Sequence, residues 1–435
     1  MNTARRNARG EASLQRILDA TVQLVGRCGY DNTTIARITK STQRPASSIY
    51  WYFRDKDELI ATALEHSYTR FARGDRRPWQ HYDHTLPMTT QLIGELEPEL
   101  CASESETPLR LGITLALEGS AARSKVQEPF QRRRAAALRA IEAWWDGAYT
   151  HLGTADDVRP AAVWWMSTLT LALLDGHYIS DVVTHDATAV ADRSRLAALA
   201  LNSAFVTLHR GVVPVAHPAS EIPAEPREAP GDNESGPAAL LRATRRLVAE
   251  HGYEGATIGR ICEASDMQRS SVYWRYKDKD TLIKAAVAEP FLDLFAPLRA
   301  LPDSPRIWTE DLAAGIGATL RAAGEHPYAV KAGLLLKVQQ WDPPTAGGTA
   351  VLEGIAAVET ELAAWLTRSV PSGGPAGPPG DQLAWIVLRL IEGLILGAAL
   401  GRPTPVSTMT RLSAVMMDDA AGHYSPSPSR GGAVR

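Results

Sequence analysis

The chain has 435 residues, of which 45% are hydrophobic, and a formal net charge of −3. That apolar content supports real cores, and the length exceeds what one ordinary domain needs. Cys28, Cys101 and Cys262 make neither a disulfide framework nor a metal-ligand spacing. Residues 1–13 carry arginines with no apolar run behind them, so no secretory signal is expected and the chain is assigned to the cytoplasm.

In chain order, residues 1–11 form a basic arm with Arg5, Arg6 and Arg9. Two readings stand side by side: contact with phosphates or a minor groove, or a solvated terminus. A first helix is predicted over 12–28, with Leu14, Ile17, Leu18, Val22, Leu24 and Val25 on one packing face. Thr34 stands where an N-cap belongs, ahead of Ile35 and Ile38. The polar turn Ser41–Thr42–Gln43 follows, and Pro45 suits the opening of the next helix. That helix carries Ser47, Ser48, Ile49, Tyr50 and Trp51, and Asp55 can cap the one after it.

The whole pattern returns 223 residues later without a gap. Thr257, Ile258, Ile261, Val272, Tyr273, Tyr276 and Leu282 stand in for Thr34, Ile35, Ile38, Ile49, Tyr50, Phe53 and Leu59. A repeat of this length makes the chain two similar units in tandem.

Between the copies, helices are predicted over 86–100, 109–123, 128–152, 159–178 and 193–209. The stretch around Trp79, His81 and His84 reads as a loop, and its histidines lack a ligand set for a metal. Residues 211–236 hold five prolines and five acids and read as a linker. Extended, it spans up to roughly 80 Å at about 3.1 Å per residue. The second unit repeats the plan with helices over 309–323, 327–340, 349–369, 381–400 and 405–418. The helix over 383–400 is apolar, but Arg389 and Glu392 interrupt it, which reads as a buried helix and not a membrane span. Weaker echoes link the bodies: Pro108 with Pro327, Trp144 with Trp365, Gly176 with Gly393.

Three linked helices followed by Trp51–Tyr52–Phe53 to Lys56, and again by Tyr273–Trp274–Arg275–Tyr276 to Lys279, resemble the tetracycline-repressor-like (TetR-like) family of bacterial regulators. The resemblance covers 50–60 residues of each half by motif and implies an all-α fold. It gives two TetR-like units in tandem, each a three-helix helix-turn-helix head on a helical ligand-binding and dimerisation body. The expected segments are heads at 12–72 and 237–296, bodies at 73–210 and 297–420, the linker at 211–236 and a disordered tail at 421–435. It further implies that the last two long helices of each body, here 159–178 with 193–209 and 381–400 with 408–417, form a four-helix interface. Alanines 197, 198 and 200 and Gly393, Gly397 and Ala398 suit close helix approach there.

By that resemblance the DNA-contacting candidates in the first head are Thr34, Arg44, Ala46, Ser47, Tyr50, Trp51 and Lys56. In the second they are Thr257, Gln268, Arg269, Ser270, Tyr273, Trp274 and Lys279. The tyrosines and lysines are the phosphate-positioning set, with a core ring as the other reading of either tyrosine. Arg44 departs from the family, which keeps an apolar residue at this turn position as Met267 does; Gln43 and Asp266 replace its turn glycine. Arg44–Pro45–Ala46 against Met267–Gln268–Arg269 implies two different half-sites. Charge agrees: residues 1–77 carry +6, residues 237–289 carry +2, and the remainder −11.

An effector cavity is expected in each body. Glu118, Trp144, Trp145, Trp164 and Trp165 are candidates in the first, and Trp341, Trp365 and Trp385 in the second, for a small hydrophobic or aromatic molecule. Ordinary core aromatics are an equal reading. No cofactor is expected. The leading function is a DNA-binding regulator, expected to be a repressor released by a small molecule. The alternative is a ligand-sensing or protein-interaction module in which one head no longer binds DNA. An enzyme is disfavoured, since no nucleophile–base pair, metal spacing or phosphate loop is present, and Asp175 and His177 diverge on their helix. The two halves are expected to pair within one chain, with a homodimer of two-headed chains as the rival.

Overall fold

Helices make up every regular element among the described residues, which in this computed structural model are 2–71, 79, 81–101, 109–118, 124–180, 187–213, 236–339, 344–370 and 380–423. The first half contains α1 (Asn2–Asn32), α2 (Ile35–Thr42), α3 (Ala46–Tyr52), α4 (Lys56–Phe71), α5 (Met88–Cys101), α6 (Leu109–Leu117), α7 (Ser124–His151), α8 (Arg159–Ser180) and α9 (Ala187–His209). The second half begins with α10 (Pro237–Gly255), α11 (Ile258–Ser265), α12 (Arg269–Arg275) and α13 (Lys279–Ile283). After a π-helical turn (Lys284–Ala288) come α14 (Glu289–Asp293), α15 (Ala296–Arg299), α16 (Trp308–Glu325), α17 (Pro327–Val338), α18 (Ala346–Ser369), α19 (Gly380–Ala399) and α20 (Val406–His423).

Several elements differ from expectation. α1 starts at Asn2 and not near residue 12, because nothing in 2–11 breaks a helix. Side chains are described from Gly10 onward, so Arg5, Arg6 and Arg9 lie outside them, as do most of the expected linker and the tail beyond 423. Where the first half has one unbroken helix, α4, the second half passes through α13, a π-helical turn and α14, the widened turn preceding Pro290. Trp79 lies between helices as read, but its side chain is 6% exposed: its ring meets Trp144 edge-on at 5.6 Å and its amide donates to Glu95 Oε2 at 2.8 Å.

The heads attach to the bodies differently. In the first, Ile17, Leu18, Ile38, Ile49, Phe53, Leu59 and Ala63 form a hydrophobic cluster of their own. In the second, Ile261, Val272, Leu282 and Ile283 merge with the core that runs through both bodies. Asp280 strengthens that attachment by accepting the Ala346 amide at the start of α18, at 2.6 Å.

The bodies meet through α8, α9, α19 and α20. α8 and α19 cross so closely that a Cβ on Gly176 would overlap the Arg389 carbonyl, and one on Gly393 would overlap that of Ala172. Residues 176 and 393 correspond in the repeat, as do 172 and 389, so the crossing carries an internal two-fold relation. α20 packs on α9, where Ser203 Oγ donates to Asp419 Oδ2 at 2.5 Å.

Beside the crossing lies a buried charge cluster. Lys337 of α17 and Arg389 both pair with Glu392, Arg389 also pairs with Glu359, and Ser180 of α8 donates to Glu392 at 2.5 Å. These charges explain how α19 keeps Arg389 and Glu392 inside an apolar helix: each is paired. α19 is the one described helix long and apolar enough to cross a membrane, and 78% of its apolar window is buried inside the protein.

Gly393→Ala should separate α8 from α19 and cost about 1–3 kcal/mol, the usual range for overpacking. Gly324→Ala, in α16 with nothing within 4 Å of its Cβ position, should stabilise by up to about 1 kcal/mol. Denaturant unfolding of the two variants checks both signs.

Candidate nucleic-acid interface

Each head is assembled by the same local chemistry. Thr34 Oγ1 accepts the Arg37 amide at 3.2 Å and starts α2; Thr257 accepts the Arg260 amide at 3.3 Å and starts α11. Both helices stop at a left-handed residue, Gln43 (φ 54) and Asp266 (φ 51), which turns the chain toward the third helix. Pro45 and Gln268 then begin α3 and α12 with extended backbone. Asp55 and Asp278 cap the following helices, accepting the Glu58 and Thr281 amides at 2.8 Å each. The Thr281 amide and hydroxyl hold the Asp278 carboxyl below the usual range.

One residue of each third helix is fully buried in the head core: Ile49 (1% exposed) and Val272 (1%). The opposite face is open. Tyr50 is 56% exposed and Trp51 78%; Tyr273 is 53% and Trp274 82%. Ala46, Ser47, Gln268, Arg269, Ser270, Thr34 and Thr257 are exposed with them. The core-ring reading of Tyr50 and Tyr273 therefore does not hold. Two large aromatic side chains displayed beside small polar ones form a surface with no partner core inside the chain, suited to a groove lined by phosphates and base edges.

Three candidates sit less openly. Arg44 is half-buried at the turn position where Met267 packs against the core of the second head. Lys56 lies over the Tyr30 ring, 3.9 Å from its centroid, and donates to the Asp31 carbonyl at 3.4 Å. Lys279 does the same with Tyr253 (4.3 Å) and the Glu254 carbonyl (3.5 Å). Burial pulls the Lys279 ammonium below the ordinary lysine range, against the pull of Glu254 and Asp280. Tyr30 donates to Asp57, and burial, with Asp280 next in weight, raises the Tyr253 hydroxyl well above the usual tyrosine value. The lysines thus tie the end of the first helix of each head to the start of its fourth. Sequence reasoning missed Arg275, exposed and stacked by cation–π contact on Trp274 at 5.7 Å, where the first head has Tyr52. Tyr52 instead donates to the Gly10 carbonyl at 3.2 Å.

The effector candidates land elsewhere. Trp144, Trp145, Trp165, Trp365 and Trp385 are 4% exposed or less. Trp145 Nε1 donates to Thr170 at 3.0 Å and Trp365 Nε1 to the Pro302 carbonyl at 2.8 Å, so both are anchored core residues. Trp164 is half-buried beneath the Arg402 guanidinium at 5.0 Å. Trp341 lies outside the described residues. The Glu118 carboxylate accepts the Tyr30 amide and the Gln339 side-chain amide, both at 2.8 Å, beside the contact between α1 and α10.

Two capped helix pairs with exposed third helices give the chain two heads of helix-turn-helix architecture. The model of the family described as "Bacterial regulatory proteins, tetR family" matches residues 17–63 and again residues 240–286. The same family model is thus matched twice, once in each head. Over 50 residues it is 42% identical to the HTH-type transcriptional repressors AcnR of Corynebacterium glutamicum and of Corynebacterium efficiens. It is 38% identical over 50 residues to the HTH-type transcriptional repressor Rv1474c of Mycobacterium tuberculosis. Each match covers 12% of this chain and 27% of the relative, so the chain spans about a quarter of the length of the curated relatives it matches.

Gln43→Gly should stabilise the first head by about 1 kcal/mol, since a left-handed residue with a Cβ is strained by about 1–2 kcal/mol and glycine is not. Asp266→Gly should gain less, because aspartate tolerates that conformation better. Melting temperatures of the two variants measure the difference.

Proposed function

We propose that this chain is a sequence-specific DNA-binding transcriptional repressor whose two unlike heads read the two halves of one asymmetric or pseudo-palindromic operator. The observation that carries this reading is the pair of exposed third helices, each with Tyr–Trp outward and Ile49 or Val272 inward, on one polypeptide. Tyr50, Tyr273, Lys56 and Lys279 position the heads on phosphates. Arg269 and Gln268 read base edges in the second half-site. Arg44, half-buried, reaches out from the turn of the first head. Relatives matched through the head are named as repressors, which favours repression as the sense of regulation. Release by a small hydrophobic or aromatic effector is what the family resemblance implies.

We further propose that one chain supplies both heads, so that the operator is bound one chain to one site. A tethered second head acts at an effective concentration near millimolar, which replaces the encounter of two chains. It also frees each head to diverge, because one sequence no longer has to serve two identical half-sites.

Two outcomes are expected. Lys56→Ala and Lys279→Ala should each weaken binding to all duplexes and flatten the salt dependence by about one phosphate contact, whereas Arg269→Ala should relax base preference in one half-site only. Light scattering should give a mass near 47.1 kDa for the free chain and one chain per duplex. A stable mass twice that, free and bound, would replace this assembly with a homodimer of two-headed chains.

A further inference from the structure

The two heads touch where α1 and α10 end. Each of these helices kinks at a glycine in the left-handed region, Gly29 (φ 69) and Gly252 (φ 69). A Cβ on either glycine would run into the Glu118 carboxylate, and one on Gly252 would also press on Gln339 Nε2 at 3.3 Å. Glu118 follows the last turn of α6, and Gln339 closes α17, the corresponding helix of the second body. They are 2% and 5% exposed. Gln339 Nε2 donates to Glu118 Oε1 at 2.8 Å, and the Tyr30 amide, just past the Gly29 kink, donates to Glu118 Oε2 at 2.8 Å. At the rim of the same junction, His251 Nδ1 of the second head stands 3.5 Å from Asp31 Oδ2 of the first.

Resting on the two-headed reading above, we propose that the Glu118–Gln339 pair, packed against both head hinges, is a positioning lock that ties the first-head hinge to the second body and sets the separation of half-sites the chain accepts. The chemistry of the pair depends on the fusion. In a symmetric dimer of one sequence, corresponding positions carry the same side chain. Two glutamates held this close repel unless they share a proton, and a buried charge without a partner is costly. One acid and one amide are complementary: the carboxylate accepts, the amide donates, and one carboxylate takes a bond from each half. Both polar groups are buried, so the bonds are shielded from water and breaking them leaves unsatisfied groups. The two glycines have no side chain to hold the hinges apart, so both hinges come close enough to pack on this pair. The pair is uneven, because Gln339 Oε1 has no hydrogen-bond partner among the described residues. The carboxylate bonds the first-head hinge and the second body at once.

The test uses the full-length chain and a library of duplexes in which the distance between two half-sites varies by single base pairs. Wild type should select one separation. Gln339→Glu places two carboxylates in the lock. It should lose about tenfold in affinity for that separation and accept a broader set, as expected of a like-charge pair. The reciprocal double variant, Glu118→Gln with Gln339→Glu, rebuilds an acid–amide pair and should return to within about threefold of wild type. Gln339→Met, which removes the donor without adding charge, covers the case in which Gln339→Glu does not fold. It should broaden the selection in the same direction. Amide exchange at Tyr30 in the free protein provides a readout without DNA: faster in both single variants, restored in the double. Unchanged separation and unchanged Tyr30 exchange in the single variants would overturn the lock. A wild-type chain that selects no duplex would instead overturn the two-headed DNA reading, and the exchange arm would still decide the lock.

Discussion

The structure depends on one close contact, the backbone-to-backbone crossing of α8 and α19 at Gly176 and Gly393. Two helices approach this closely only where neither presents a side chain. Because each glycine sits on the residue that corresponds to its partner's contact, the crossing acts as a local two-fold axis. From that axis the rest is placed: α9 against α20, the buried Lys337–Glu392–Arg389 cluster beside it, and the contact between α1 and α10, the first helices of the two heads. Burial of charge at the axis is tolerable because every charge in the cluster is paired.

Around the axis the halves have diverged. On one side Asp175 is paired with Arg134 of α7; at the corresponding place Glu392 takes Lys337 and Arg389. One head has a small core of its own, and the other is continuous with the bodies and fastened by Asp280. A single chain can hold such differences, since its halves need not be identical.

Much of this was legible in the sequence because the heads are made of local signals. The Thr34 and Thr257 caps, the inward Ile49 and Val272 and the outward Tyr–Trp pairs each follow from spacing, and the gapless repeat doubled the signal. Gly393 read as suited to close helix approach, and Gly176 as its echo in the first half. What was not legible depends on contacts across the chain. Trp79 looks like a loop residue until α5 and α7 enclose it. The tryptophans of the bodies read equally as cavity wall or core, and five of them are buried. Glu118 was expected to face a ligand, and its partners come instead from residues 30 and 339, far apart in sequence. The π-helical turn at Lys284–Ala288 left no mark that periodicity can register.

The central claim is that two unlike heads of one chain occupy the two halves of one operator. Hydroxyl-radical footprinting with one head disabled tests it most directly. Tyr50→Ala with Trp51→Ala removes exposed side chains from the first head only, and Tyr273→Ala with Trp274→Ala does so for the second. The account predicts that each double variant, at raised protein concentration, loses protection over one half of the site and keeps the other, with opposite halves lost in the two cases. Protection that fades equally over both halves in both variants would contradict it.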